Sequence, residues 1–355
     1  MTKLISVEVK LNGTILQCSA HYNSSEEEVK FAFYIFKNEQ RIHISWYSEN
    51  PVFHFDTQGA PGYYRVVAFL KNDNDLVENS KSNPIFSNPT IINNDNLSEI
   101  DNQGVAYLLK GDFWDFPALF YPNENKSLFI MLPSAVDRAK MTLPVFNRWT
   151  WADKGVFPGN MLCISDPTLT LHHELQLGWL LGDIDHCATK DLANFIVRLA
   201  KEKGIPNNRI VFYGSSAGGF SALALATLVE GSVAVAINPQ TVALSYEASK
   251  QVKLIQEHCF NGMSKDIIEK NYSSRVNMIE RWKNVRASKF ILVQNILDHH
   301  HFNVHFKPFW EFFGGDSSLG ISSSSGHNAW IYKQDGGHVP ETIDMAREII
   351  STFEL

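Results

Sequence analysis

The chain has 355 residues, 44% of them hydrophobic and 19% charged, and a formal net charge of -7. That length and composition describe a globular protein with room for a large core and two domains. The acidic balance argues against a general polyanion binder, so no nucleic-acid partner is expected. Cys18, Cys163, Cys187 and Cys259 show no C-x-x-C pairing, so neither a disulfide framework nor a structural zinc site is implied. The opening MTKLISVEVKLNG alternates and carries charge, and no apolar run reaches membrane-spanning length. These features lead to the expectation of a cytoplasmic protein without a transmembrane segment.

Residues 3–20 alternate, with Leu4, Ser6, Glu8 and Lys10 on one side and Val7, Val9 and Leu11 on the other. Further strand-like runs follow at Val29 to Phe36, Arg41 to Tyr47, Val52 to Phe55 and Gly62 to Leu70, separated by turn signals such as KNEQ and TQGAPG. Many short strands at regular spacing predict a small β-sandwich over 1–90, with an immunoglobulin-like length and the strand GYYRVVAFL. The polar stretch over 80–102, rich in Asn, Ser and Pro, reads as the junction, with 91–103 as the linker and 104–355 as a second domain.

The second domain alternates strand-type and helix-type runs. Strands are expected at Ser127 to Leu132, Asn160 to Ile164, Arg209 to Tyr213, Ser232 to Ile237, Lys289 to Ile296 and Asn328 to Lys333. Helices are expected at Asp191 to Lys201, after the Arg209 strand as far as Glu230, at Val304 to Phe313 and at Pro340 to Phe353. Residues 246–285 read as an interrupted helical cap over the site. Such repeated units predict a mostly parallel sheet covered on both faces, an α/β class.

The chemistry centres on Arg209 to Glu230. A short apolar strand runs into Gly214-Ser215-Ser216-Ala217-Gly218, and a buried helix follows. Strand, sharp turn and helix with a serine at the apex form a nucleophile elbow, where side chains at 214 and 218 would crowd the turn. The remaining requirement is an acid and then a histidine, each after a later strand. Asp298 follows KFILVQNIL and His338 follows NAWIYKQ. Ser216 would attack a carbonyl, His338 would carry its proton, and Asp298 would orient the imidazole. Asp335 lies too near His338 in sequence to be its partner, and Glu311 and Asp316 fit less well.

The amide of Ala217 would supply one oxyanion donor, and Ser134 or Ala135 the second, because Pro133 has no amide hydrogen. Arg148, Trp149 and Trp151 are candidate substrate contacts. Arg148 would meet an anionic sugar or form a surface ion pair. Trp179, Trp310 and Trp330 would add flat apolar faces or simply be core. Of the consecutive His299, His300 and His301, His299 is assigned to the pocket and the others to solvent. No metal is expected there, because three consecutive side chains of a strand cannot converge on one ion. His172-His173-Glu174 does not have the H-E-x-x-H spacing and reads as a loop near the site.

On Gly214-Ser216-Gly218, Asp298 and His338, residues 105–355 resemble the α/β-hydrolase superfamily. With a leading β-sandwich and many aromatics, the chain also resembles bacterial proteins that acetylate or deacetylate glycans. That resemblance implies a serine-dependent acyl transfer, with a saccharide or polysaccharide, including an anionic one, as substrate. It implies no tightly bound cofactor and acetyl-CoA as an acyl donor. A serine peptidase, a general carboxylesterase and a non-catalytic glycan-binding or assembly protein are the alternatives.

Overall fold

The computed structural model describes residues 4–23, 28–38, 40–72, 77–82, 84–100, 105–139, 141 and 143–355. The chain divides into two compact units. One comprises 1–91, 102–108 and 141–145, and the other 92–101, 109–140 and 146–355. The chain therefore passes between the two units more than once.

In the first unit, strands β1 (Leu4–Asn12), β2 (Ile15–Tyr22) and β5 (Val52–Asp56) form one sheet. Strands β3 (Val29–Lys37), β4 (Gln40–Ser48), β6 (Gly62–Asn72) and β7 (Val77–Lys81) form a second in the order β4-β3-β6-β7, with β8 (Ile85–Ser87) paired to β6. All pairings within the two sheets are antiparallel. Val7, Val9, Leu16 and Cys18 from one sheet share a cluster with Phe31, Phe33, Ile35 and Val66 from the other. The alternating run over 3–20 is two strands, not one. Gly13-Thr14 turns it, with Gly13 at φ 63° and Asn12 paired to Ile15. The polar stretch over 84–100 is also structured, holding β8, β9 (Thr90–Ile92) and a 3-10 turn, Leu97–Glu99. Strand β10 (Val105–Lys110) follows.

The second unit is built on β11 (Asp115–Tyr121), β12 (Leu128–Met131), β13 (Asn160–Ile164), β14 (Ile210–Ser215), β15 (Val233–Ile237), β16 (Lys289–Asn295), β17 (Gly320–Ser324) and β18 (His327–Tyr332). Their order is β17-β18-β16-β15-β14-β12-β13-β11. From β13 to β18 every pairing is parallel, and β11 and β17 run antiparallel at the two ends of this series. Strands β12, β13 and β14 are buried at every residue, which is why they read as unbroken apolar runs. Strand β17, sequence GISSS, carries no such signal. It is largely exposed and takes its form from pairing with β18.

Helix α1 (Ala188–Glu202) buries Leu192, Phe195, Ile196 and Leu199 along one stripe. Helix α2 (Ala217–Ala226) is buried on all sides, as its composition demands. Residues 246–285 form α3 (Ser249–Cys259), α4 (Lys265–Asn271), α5 (Ser273–Val276) and α6 (Met278–Trp282). Helix α7 (Lys307–Phe312) follows a π-helical turn, His301–Phe306, and α8 (Ile343–Thr352) closes the chain. Strand order reverses beside β12, whose neighbours are β13 and β14. Open parallel sheets bind ligands beyond the carboxyl ends of strands at such a point. Ser134, Ser216, Asp298 and His338 all follow carboxyl ends of parallel strands. Among the described residues, no helix is long and apolar enough to cross a membrane.

Candidate active site

Ser216 sits between β14 and α2 with φ 54° and ψ -120°, a conformation that L-residues rarely adopt. The corner is tight. A Cβ on Gly214 would overlap the backbone carbonyl of Gly218, and one on Gly218 would stand 2.7 Å from the Leu132 oxygen. The Ser216 amide donates to the Ile237 oxygen at 2.8 Å, which ties the corner to β15. Ser216 and His338 line one cavity of about 420 Å³, together with Ser134, Ala135, Asn147, Arg148, Trp151 and Glu341.

His338 Nδ1 donates to Asp298 Oδ2 at 2.5 Å. The other carboxylate oxygen, Oδ1, is 3.0 Å from His301 Nδ1. Burial alone would push the Asp298 carboxyl up, but the two imidazoles overcome this and hold it well below the usual carboxylate range. The His301 and His338 rings stack 4.0 Å apart at 15°. Burial also pushes the His301 imidazole down. Ser216 Oγ accepts from Gln240 Nε2 at 3.0 Å, and Gln240 Nε2 lies 2.7 Å from His301 Nε2. Among the described residues, no hydrogen bond joins Ser216 to His338.

Arg148 has φ 62° and a side chain only 5% exposed, and it pairs at 2.5 Å with the fully buried Glu341. It also donates to Ser215 Oγ at 2.9 Å, which lies 3.0 Å from Ser134 Oγ. Three loops are thereby joined: the one after β12, the elbow, and the segment three residues beyond His338. Of the two roles open to Arg148, an anionic sugar or an ion pair, the structure shows an ion pair, and a buried one. Trp151 borders the cavity with the Arg148 guanidinium 5.8 Å from its ring.

Other expected contacts lie elsewhere. Trp149 does not line the cavity, although Trp151, two residues on, does. His299 is exposed, and the buried member of the triplet is His301. The segment is a helical turn, not a strand extension, so i,i+3 spacing brings His301 back to Asp298. Trp179 and Trp310 are buried in the core. Helices α3 to α6 contribute nothing to the cavity lining; Gln251 and Arg275 instead bond to the loop over 176–184. Ala217 is buried at the first turn of α2, with its amide following Ser216. His172, His173 and Glu174 bring donor atoms within 4.8 Å of one another, a spacing that would suit a cation, but Glu174 is already paired with Lys250 at 2.7 Å.

No protein-family model matches the chain, and no curated protein matches its sequence. Solved structures do match in shape. The capsule O-acetyltransferase of Neisseria meningitidis serogroup A aligns over 70% of this chain and 93% of its own, at 17% identity and TM-score 0.52. The chain has the α/β-hydrolase fold. A variant of that acetyltransferase in complex with CoA aligns over 73% of this chain and all of its own, at 16% identity and TM-score 0.50. A puromycin hydrolase aligns over 99% of this chain and 48% of its own, at 13% identity and TM-score 0.51. Within this hydrolase fold, Gln240, His301 and Glu341 are polar groups of the site that the sequence did not single out, as are Asn147 and Asn238 in the cavity lining. Asp298-x-x-His301 at helical spacing was the one available signal.

Proposed function

We propose that the protein is a serine-dependent acyltransferase or esterase that moves an ester-linked acyl group, acetyl in the simplest case, on a saccharide. One observation carries this reading: Ser216, on a strained corner, and His338, whose Nδ1 is held by Asp298, line the same cavity. In the reaction Ser216 Oγ turns from Gln240 toward His338 and attacks the acyl carbonyl carbon. His338 takes the hydroxyl proton at Nε2 and returns it to the leaving group. The Ala217 amide, with Ser134 or Ala135, receives the oxyanion. A hydroxyl or water, deprotonated by His338, then attacks the acyl-enzyme, the carbonyl re-forms and Ser216 is released.

The CoA complex of the structurally similar acetyltransferase supports acetyl-CoA as donor. Trp151 offers a flat face on which a sugar ring can stack. Because Glu341 already neutralises Arg148, the site suits a neutral hydroxyl-bearing ring better than a carboxylate that would compete with Glu341. In this reading residues 1–90 are an accessory immunoglobulin-like module, 91–103 its junction, and the reaction is cytoplasmic, where acyl-CoA donors are made.

The test is acetyl-CoA turnover with a panel of neutral and acidic polysaccharides. The expected result is thiol release that depends on a saccharide, with a new O-acetyl signal in the product. Peptide hydrolysis without acetyl transfer would favour a serine peptidase, consistent with the shape of the puromycin hydrolase.

A further inference from the structure

Gln240 and His301 form a polar chain beneath the reacting groups, and its proton positions follow from valence. Trp179 Nε1 can only donate, and it faces Gln240 at 3.1 Å, so the atom it meets is the carbonyl Oε1. The Gln240 amide nitrogen then faces Ser216 Oγ at 3.0 Å and His301 Nε2 at 2.7 Å. An amide nitrogen only donates, so its two hydrogens go to these two atoms. His301 Nε2 therefore carries no proton. The ring proton sits on Nδ1 and points at Asp298 Oδ1, 3.0 Å away.

We propose that His301 is a positioning residue. Its Nδ1 proton fixes the Asp298 carboxylate, its ring supports the plane of His338, and Gln240 fixes its tautomer. The carboxylate has two oxygens and each receives one imidazole N–H, so it cannot swing about its Cβ–Cγ bond without breaking one of them. The ring of His338 lies flat on His301, 4.0 Å away. The groups facing His301 are Asp298, His338, His300, His305 and the Tyr246 ring. A second proton on His301 would repel His338 and would oppose the Gln240 amide hydrogen. The arrangement therefore selects the neutral ring.

The kinetic arm rests on the acyl-transfer reading above and uses p-nitrophenyl acetate as probe. His301→Phe keeps a flat ring and the backbone amide that reaches Asp298 Oδ1 at 3.4 Å, but removes the imidazole donor to that oxygen. The carboxylate then holds the His338 cation more strongly, so the acid limb of the kcat/KM profile moves to higher pH. kcat falls about tenfold or more, the range for groups that orient a reacting side chain, with little change in KM. His301→Asn restores an N–H near the Nδ1 position and returns the limb towards its wild-type place. Acid limbs that coincide in wild type, His301→Phe and His301→Asn would overturn the proposal. The second arm needs no activity. In the resting protein, ¹⁵N spectra of labelled histidine should show His301 protonated at Nδ1 and bare at Nε2. An Nε2–H or doubly protonated ring at neutral pH would overturn the proposal, even if the probe ester were not a substrate and the acyl-transfer reading had failed.

Discussion

The corner that carries Ser216 is held by backbone crowding, whereas the corner that carries Asp298 and His338 is held by side-chain hydrogen bonds. At the first, Gly214 and Gly218 leave no room for a Cβ, and buried strands fix the approach of the chain. At the second, a carboxylate is pinned between two imidazoles, and Arg148 and Glu341 tie the His338 segment to the elbow. The first corner should fail through steric change. The second should fail when one polar partner is lost, with the fold retained.

The sharpest separation is chemical. Ser216→Ala should reduce esterase or transferase turnover by about a millionfold, with an unchanged melting temperature. Asp298→Asn should cost about 10⁴-fold in kcat, because the amide favours the wrong His338 tautomer. A retained fold in both variants, checked by circular dichroism, belongs to this account; full activity in either contradicts it.

Stability changes come next. Arg148→Met leaves Glu341 buried without its cation and should cost about 3–5 kcal/mol in denaturant unfolding. The double variant Arg148→Met, Glu341→Leu should recover much of that loss, and no recovery would mean that the pair is not the cause. Gly214→Ala should cost about 3 kcal/mol, since the backbone of Gly218 must shift. An unperturbed unfolding midpoint would show that the corner has room for a Cβ.

The smallest effect is a slope. Burial pushes the imidazoles of His305 to about 3 and His327 to about 4, and lowers that of His301 as well. Each folded-state value lies below the ordinary 6.5. The unfolded chain therefore takes up protons first as pH falls below that value, and stability is lost progressively down to each folded value. The depressed carboxyl of Asp298 adds a further loss below the ordinary carboxylate range. Each buried imidazole adds up to about 1.4 kcal/mol per pH unit. Melting temperature should fall steadily on acidification through this window. His327→Asn should make the fall shallower, and an unchanged slope would exclude His327 as a contributor.

The same contrast explains what could be read from residues alone. The elbow was legible because its geometry is local: glycines, serine and apolar flanks lie within ten consecutive positions. Asp298 and His338 were legible through chain order and strand ends. Gln240 meets His301 across 61 positions and Arg148 meets Glu341 across 193, so no local pattern announces either contact. A strand would put His299 and His301 on one face and could not separate them; the helical turn does, because i,i+3 spacing returns only His301 to Asp298. The serine-rich strand β17 acquires its form from β18 and has no apolar alternation to betray it.

The central claim is that Ser216 is a nucleophile activated by His338. Labelling with a fluorophosphonate probe, read by intact mass and peptide mapping, tests it most directly. A single adduct is expected on Ser216, absent in Ser216→Ala and much slower to form in His338→Ala. An adduct on another residue, or none on a folded protein, would contradict it.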